Sequence, residues 1–229
     1  MHIPDGLIPA TVAIGGYAVA GALTAYSIKR INQSDNAQEQ IPKVALLTAA
    51  FFITSLIHIP VPPTSIHPLL SGLMGALLGW FAMPAILIGL LLQAMIFGHG
   101  GITTLGINAV ILGVPAILAH LAFQSFSGKQ KLFSQDEDGK KQITRRLQIA
   151  GFLAGAIGVG LSVLMFYGFI IFTIPADIID PAAERRATLI LSLSHLPLLL
   201  VEGALTAMLV SYLSRVKPEL LRGLSEARA

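Results

Sequence analysis

Leu105-Gly106-Ile107-Asn108-Ala109-Val110-Ile111-Leu112-Gly113-Val114-Pro115-Ala116-Ile117-Leu118-Ala119-His120-Leu121-Ala122-Phe123-Gln124-Ser125-Phe126 decides the class of this chain. It contains no Asp, Glu, Lys or Arg, and about 20 mainly apolar residues in a helix cover the hydrocarbon core of a bilayer. Upstream lies Gly98-His99-Gly100-Gly101-Ile102-Thr103-Thr104, a loop whose glycines open backbone conformations closed to other residues. Downstream the chain turns basic, with Lys129, Lys131, Lys140, Lys141, Arg145 and Arg146. The same alternation of apolar run and polar connection recurs along the chain. Spans are expected over residues 8–29 and 43–58, over a short third segment to Gly79 with His67 and Pro68 in its first turn, and over a fourth segment ending near Phe97. Residues 105–126, 147–174 and 187–213 complete a set of seven.

The composition agrees with an all-α integral membrane protein in which residues 1–229 form one membrane-embedded unit. Hydrophobic residues make up 54% of the chain and charged ones 12%, and the mean hydropathy is +0.76. A net charge of +3 would suggest nucleic acid in a soluble protein, but here the basic residues sit in connections beside apolar spans, where they set topology. Cysteine is absent, which excludes disulfides, zinc-thiolate sites and cysteine nucleophiles. No cleavable signal peptide is expected, because the first residues lack a basic n-region and the following run is long enough to span.

Basic residues also orient the bundle. Lys29, Arg30 and Lys43 flank one connection, and Arg215, Lys217, Arg222 and Arg228 crowd the tail. By the positive-inside rule these regions and the Lys129–Arg146 stretch are cytoplasmic. With seven spans the N-terminus is then outside, together with His58, His67, His99 and the acidic stretch of Asp177, Asp180 and Glu184. Four of the six histidines converge on one face.

The first of them stands in Met1-His2-Ile3-Pro4-Asp5-Gly6, which places a terminal amine, a backbone amide and an imidazole within two residues. Imidazole binds divalent transition metals through a neutral nitrogen, and an amine beside a His at the second position closes chelate rings that a later His cannot. Such a claw requires Met1 to be retained with its formyl group removed. A second feature is Ile59-Pro60-Val61-Pro62-Pro63-Thr64-Ser65, which cannot continue a helix. It makes a stiff loop ahead of His67, with Thr64 or Ser65 as the expected helix cap. Deeper in the chain, Glu202 lies inside the last span, where an ionisable group is a functional-site hypothesis by default. Its readings are a structural hydrogen bond to a neighbouring helix, a proton relay, or a step on a metal path with His195, seven residues earlier. Gln93 is read as a structural hydrogen-bonding group too.

Three motifs in order, Met1-His2-Ile3-Pro4-Asp5-Gly6, Pro62-Pro63-Thr64-Ser65-Ile66-His67 and Gly98-His99-Gly100-Gly101-Ile102-Thr103-Thr104-Leu105-Gly106-Ile107-Asn108, resemble the metal-capture subunit of nickel and cobalt energy-coupling-factor transporters, the NikM/CbiM family. The likeness is close in the first half of the chain and rests on the helix pattern in the second. It implies a square-planar site of four nitrogens: the Met1 amine, the His2 amide and imidazole, and the His67 imidazole. Square-planar nitrogen coordination points to nickel(II) or copper(II), and the Pro-rich run before His67 resembles the nickel-type members, whereas Pro68 is a feature of the cobalt side. Ser65, His99, Thr103, Thr104 and Asn108 are expected to support the ligands. Ala45 and Ala49, small residues four apart, match the face by which such subunits meet a coupling subunit.

The resemblance further implies a bacterial or archaeal plasma membrane, a transmembrane coupling subunit, ATPase subunits and a small accessory membrane subunit as partners, and no cofactor beyond the transported ion. The chain has no Gly-x-x-x-x-Gly-Lys-Ser/Thr loop of its own for ATP and no His-Glu-x-x-His, so it is read as a transport subunit and not an enzyme. The rival reading is an ion-coupled secondary transporter that uses Glu202 and His195.

Overall fold

A computed structural model describes residues 2–34, 36–62, 64–127, 137–173 and 180–222. Met1, Lys129, Lys131, Asp177 and Arg228 lie outside the described residues. Helices dominate: α1 (Ala10–Asn32), α2 (Ile41–Thr54), α3 (Ser71–Leu78), α4 (Ala82–Phe97), α5 (Leu105–Ser127), α6 (Glu137–Thr173), α7 (Pro181–Ser194), α8 (Leu196–Val216) and α9 (Glu219–Arg222). One antiparallel hairpin, β1 (Ile59–Val61) with β2 (Thr64–Ile66), interrupts them, with Pro60 opposite Ser65.

Among the described residues, five helical stretches are long and apolar enough to cross a membrane: Ala10–Asn32, Ser71–Phe97, Leu105–Ser127, Lys141–Thr173 and Pro181–Val216. The expected seven spans differ from this in three places, each with a local cause. The 14 residues of α2 rise about 21 Å at 1.5 Å per residue, short of a core about 30 Å thick. The expected third span is the eight-residue α3. Thr64 and Ser65 pair in the hairpin and do not cap it, and His67 and Pro68 precede its first turn. At its far end Gly79 takes φ 59°, ψ −127°, a conformation open to glycine, and a 3₁₀ turn over Gly79–Phe81 leads directly into α4. The expected last span is split at His195, because Pro197 has no N–H to return to residue 193. His195 and Glu202 therefore do not share one helix.

The core lies around α3, every residue of which is buried. Glycines let the backbones close in: a Cβ on Gly72 or Gly158 would overlap the facing backbone of α6 or α3, and one on Gly155 would meet the Glu202 carbonyl and Thr206 of α8. On the other side, α1 meets α5 where Gly16 faces Ile107 and Gly106 faces Tyr17. The outer surface is apolar, with Leu46, Met95, Leu164, Phe172 and Met208 all exposed, Phe172 by 89%. Buried small polar residues and exposed large apolar ones are the pattern of a bundle whose solvent is lipid. At the end of the bundle away from the N-terminal segment, Arg30 stacks over the Trp80 ring at 5.4 Å, and Lys43 Nζ donates to the Leu220 carbonyl at 2.9 Å, holding α9 against α2.

Candidate metal site

The N-terminal segment is held by groups that lead into α5. The Ile3 N–H donates to Asn108 Oδ1 at 2.8 Å, and Asn108 Nδ2 returns a bond to the Ile3 carbonyl at 3.0 Å. Thr104 Oγ1 donates to that carbonyl at 2.7 Å. Asn108 and Thr104 thus satisfy the backbone of a residue that is 0% exposed, as buried polar groups require. Asp5 adds a second clasp. Its carboxylate accepts the N–H groups of Ile102 (3.2 Å), Thr103 (2.9 Å) and Thr104 (3.3 Å) and the Thr103 hydroxyl (2.5 Å). These bonds, the Thr103 hydroxyl first, hold its carboxyl below the usual carboxylate range.

This explains the Gly-His-Gly-Gly loop. Gly98 ends α4 in the left-handed conformation at φ 61°, the usual glycine stop, and the His99 N–H donates to the Gln93 carbonyl at 3.2 Å. Gly101 must lack a Cβ, because one there would overlap the Asp5 carboxylate. His99 is thereby fixed between the end of α4 and the start of α5, beside the docked His2.

His67 arrives from the hairpin. It is buried, and its Nδ1 lies 3.1 Å from the Pro68 carbonyl. A carbonyl only accepts, so the proton is assigned to Nδ1, which leaves Nε2 with the lone pair. That Nε2 faces His99 Nε2 at 3.4 Å. The His2 ring stacks on His67 with centroids 5.3 Å apart and meets the His99 ring edge-on at 4.6 Å. One ligand nitrogen from each of His2, His67 and His99 lies within 4.8 Å of the others. Both His2 ring nitrogens are buried without a hydrogen-bond partner among the described residues.

Burial keeps all three rings neutral. It pushes His2 well below the ordinary imidazole value, His67 down to about 2 and His99 to about 4. Neutral imidazole is the metal-binding form. Two nitrogens bound to one ion at about 2.0–2.1 Å lie about 2.9 Å apart at a right angle and about 3.4 Å apart at a tetrahedral one. The His67–His99 separation of 3.4 Å matches the tetrahedral spacing and not the right-angle one, so His99 stands beside a planar nitrogen set and not within it.

Sequence reasoning named His2, His67, His99, Thr103, Thr104 and Asn108, and the fold brings them together. His58 stands at the rim, exposed, its ring 6.5 Å from those of His67 and His99. Ser65 lies on the exposed side of β2, away from the rings. Ala45 and Ala49 face outward on α2, not into the bundle. His120 is buried beside Trp80, with ring centroids 5.8 Å apart. Gln93 Nε2 donates to the Phe51 carbonyl at 3.3 Å, the structural bond expected of it. One feature has no role in the sequence reading: Asp5 stands inside the quoted hexapeptide, and only its Asp-Gly turn chemistry hints at one. Of the three readings of Glu202, the structural hydrogen bond is the one seen, with the backbone N–H groups of Leu69 (2.5 Å) and Leu70 (2.8 Å) as partners in place of a polar group on a neighbouring helix.

Comparison with known proteins agrees with this picture. The family model described as the cobalt uptake substrate-specific transmembrane region, CbiM, matches residues 2–220. The fused nickel transport protein NikMN of Rhodobacter capsulatus is 31% identical over 96% of this chain, which spans 64% of that protein. The cobalt transport protein CbiM of Sorangium cellulosum is 28% identical over 100% of this chain and 97% of its own length. The crystal structure of a transition metal transporter superposes with a TM-score of 0.71 at 21% identity over 100% of both chains, a likeness of fold.

Proposed function

The chain belongs to the CbiM family of cobalt-uptake substrate-specific transmembrane proteins, and from that premise we propose that it captures a divalent transition-metal ion, nickel(II) first and cobalt(II) next, for ATP-driven uptake. The observation that carries this reading is the convergence of three neutral imidazoles, one of which, His2, has both ring nitrogens buried with no hydrogen-bond partner among the described residues. A buried ring without partners is costly unless something else accepts its lone pair, and a cation does so.

The His2 and His67 imidazoles bind the ion, and His99 supports them from the Gly-rich loop. The Met1 amine and the His2 amide complete the nitrogen set, and that planar set favours nickel. The N-terminus and the three rings face the outside, and α9 faces the cytoplasm of a bacterial or archaeal cell. The ATPase subunits and a transmembrane coupling subunit supply the energy, with a small accessory membrane subunit completing the assembly. The exposed Ala45 and Ala49 with Leu46 on α2 form the coupling face. The secondary-transporter reading loses its support, because both Glu202 oxygens are engaged by backbone amides and His195 Nδ1 donates to the Leu191 carbonyl at 2.8 Å.

Titration of the purified chain with each ion, after mass spectrometry has established a free Met1 amine, tests the proposal. Stoichiometric, tight binding of nickel or cobalt is expected. Failure to bind either ion sinks it.

A further inference from the structure

The stretch His67-Pro68-Leu69-Leu70 enters the bundle without regular structure and stays largely buried. Its amides precede α3 and have no helical partner. Leu70, at φ 52°, ψ 6°, is the one non-glycine residue with a positive φ among those described. A β-unbranched but bulky residue holds that conformation only when its surroundings fix it. What fixes it is Glu202, whose two oxygens take the Leu69 and Leu70 N–H groups.

The geometry continues one step further. The Leu69 N–H and the Pro68 C=O belong to a single planar peptide group. On one edge that plane is gripped by Glu202; on the other its oxygen accepts the His67 Nδ1 proton. We propose that Glu202 is a positioning residue for metal capture, acting through the Pro68–Leu69 peptide to hold the His67 ring in the Nδ1–H tautomer with Nε2 toward the ion. This inference rests on the proposed function. A metal-binding His is commonly oriented by a carboxylate or carbonyl at its other nitrogen, which also raises ligand basicity. Here the carboxylate and the carbonyl act in series. The negative charge polarises the peptide, strengthens the carbonyl as an acceptor, and makes His67 Nε2 the better donor to the ion.

The experiment uses the full-length chain in detergent with Glu202→Gln and Glu202→Asp. Gln keeps the shape but offers only one acceptor, and Asp keeps the charge on a shorter arm. Three quantities are read: helicity, the affinity and ligand-field spectrum with nickel(II) and with cobalt(II), and the His67 tautomer in the metal-free chain from ¹⁵N ring shifts. Folded Glu202→Gln is expected to bind at least tenfold more weakly, with a shifted ligand-field band and a reduced Nδ1–H fraction. Wild-type affinity, spectrum and tautomer in that variant overturn the inference. If Glu202→Gln fails to fold, Glu202→Asp is read the same way, and wild-type values there overturn it. If the unaltered chain binds neither ion, the proposed function fails, and the tautomer shift alone decides whether Glu202 sets the His67 ring.

Discussion

Asp5 and Glu202 each reach across the sequence to hold the amides that lead into a helix, α5 for Asp5 and α3 for Glu202, and each thereby fixes part of the same histidine cluster. The surroundings differ. Asp5 is exposed and Glu202 is 2% exposed. An exposed carboxylate clasp competes with water and salt at every moment, whereas a buried one cannot be released without leaving polar groups unpaired in an apolar interior. The Asp5 clasp is thus the one that solvent can loosen, and the Glu202 clasp the one it cannot. His67 is held from the interior. His2 is held from the rim by Asp5, with Ile3 anchored beside it to Asn108 and Thr104.

The largest effect tests whether both halves are needed. His2→Ala and His67→Ala should each weaken nickel or cobalt binding by a factor of 100 or more, as measured by calorimetric titration; tight binding after either change breaks the pairing of the two halves. Next comes a steric attack on the exposed clasp alone. Gly101→Ala places a Cβ against the Asp5 carboxylate, and should weaken binding roughly tenfold and raise amide exchange at Ile3 and Asp5, while exchange at Leu69 and Leu70 stays slow.

Acid sharpens the contrast. The ring of His99 titrates near 4 when docked and near about 6.5 when free. The undocked state therefore binds more protons between those values, and docking weakens as pH falls through that window. Asp5, held below its usual range, gives the same sign at lower pH, because its clasp is lost as the carboxylate is protonated. Proteolytic nicking of the N-terminal segment should rise from pH 6.5 to pH 4 in the metal-free chain, and a flat profile contradicts this. Asp5→Asn retains size but not charge. It should cost a few-fold in affinity and remove the salt dependence of docking, seen by repeating the titration at two ionic strengths. Smallest is Tyr17→Phe, which removes a hydrogen bond from the Tyr17 hydroxyl to the Ile102 carbonyl and should change affinity less than twofold.

Much of this was legible in residue order, and the reason is local. The 105–126 run is long and uncharged, so α5 falls within a residue of its expected end. The basic connections orient the spans by the positive-inside rule, which puts His67 and His99 on one face, and their rings do meet, with centroids 5.1 Å apart. What stayed hidden depends on partners far apart in the chain. Glu202 meets amides more than 130 residues earlier, and no spacing rule announces a carboxylate that serves another helix. The split at His195 turned on one proline's missing N–H inside an apolar run that still read as continuous. The third segment, expected to be short, starts later than His67 and runs on into α4, because its irregular entry and its 3₁₀ exit both look, in sequence, like ordinary span ends.

That short helix has a consequence for how the protein is made. Eight residues of α3 rise about 12 Å, too little for the insertion machinery to recognise as a span by itself. It reaches a spanning length only together with α4, in the stretch Ser71–Phe97. Glu202 lies far downstream in α8, so the Leu69 and Leu70 amides stay without their carboxylate until that helix is made. A chain whose earlier helices are all in place can therefore still lack the clasp on the His67 segment.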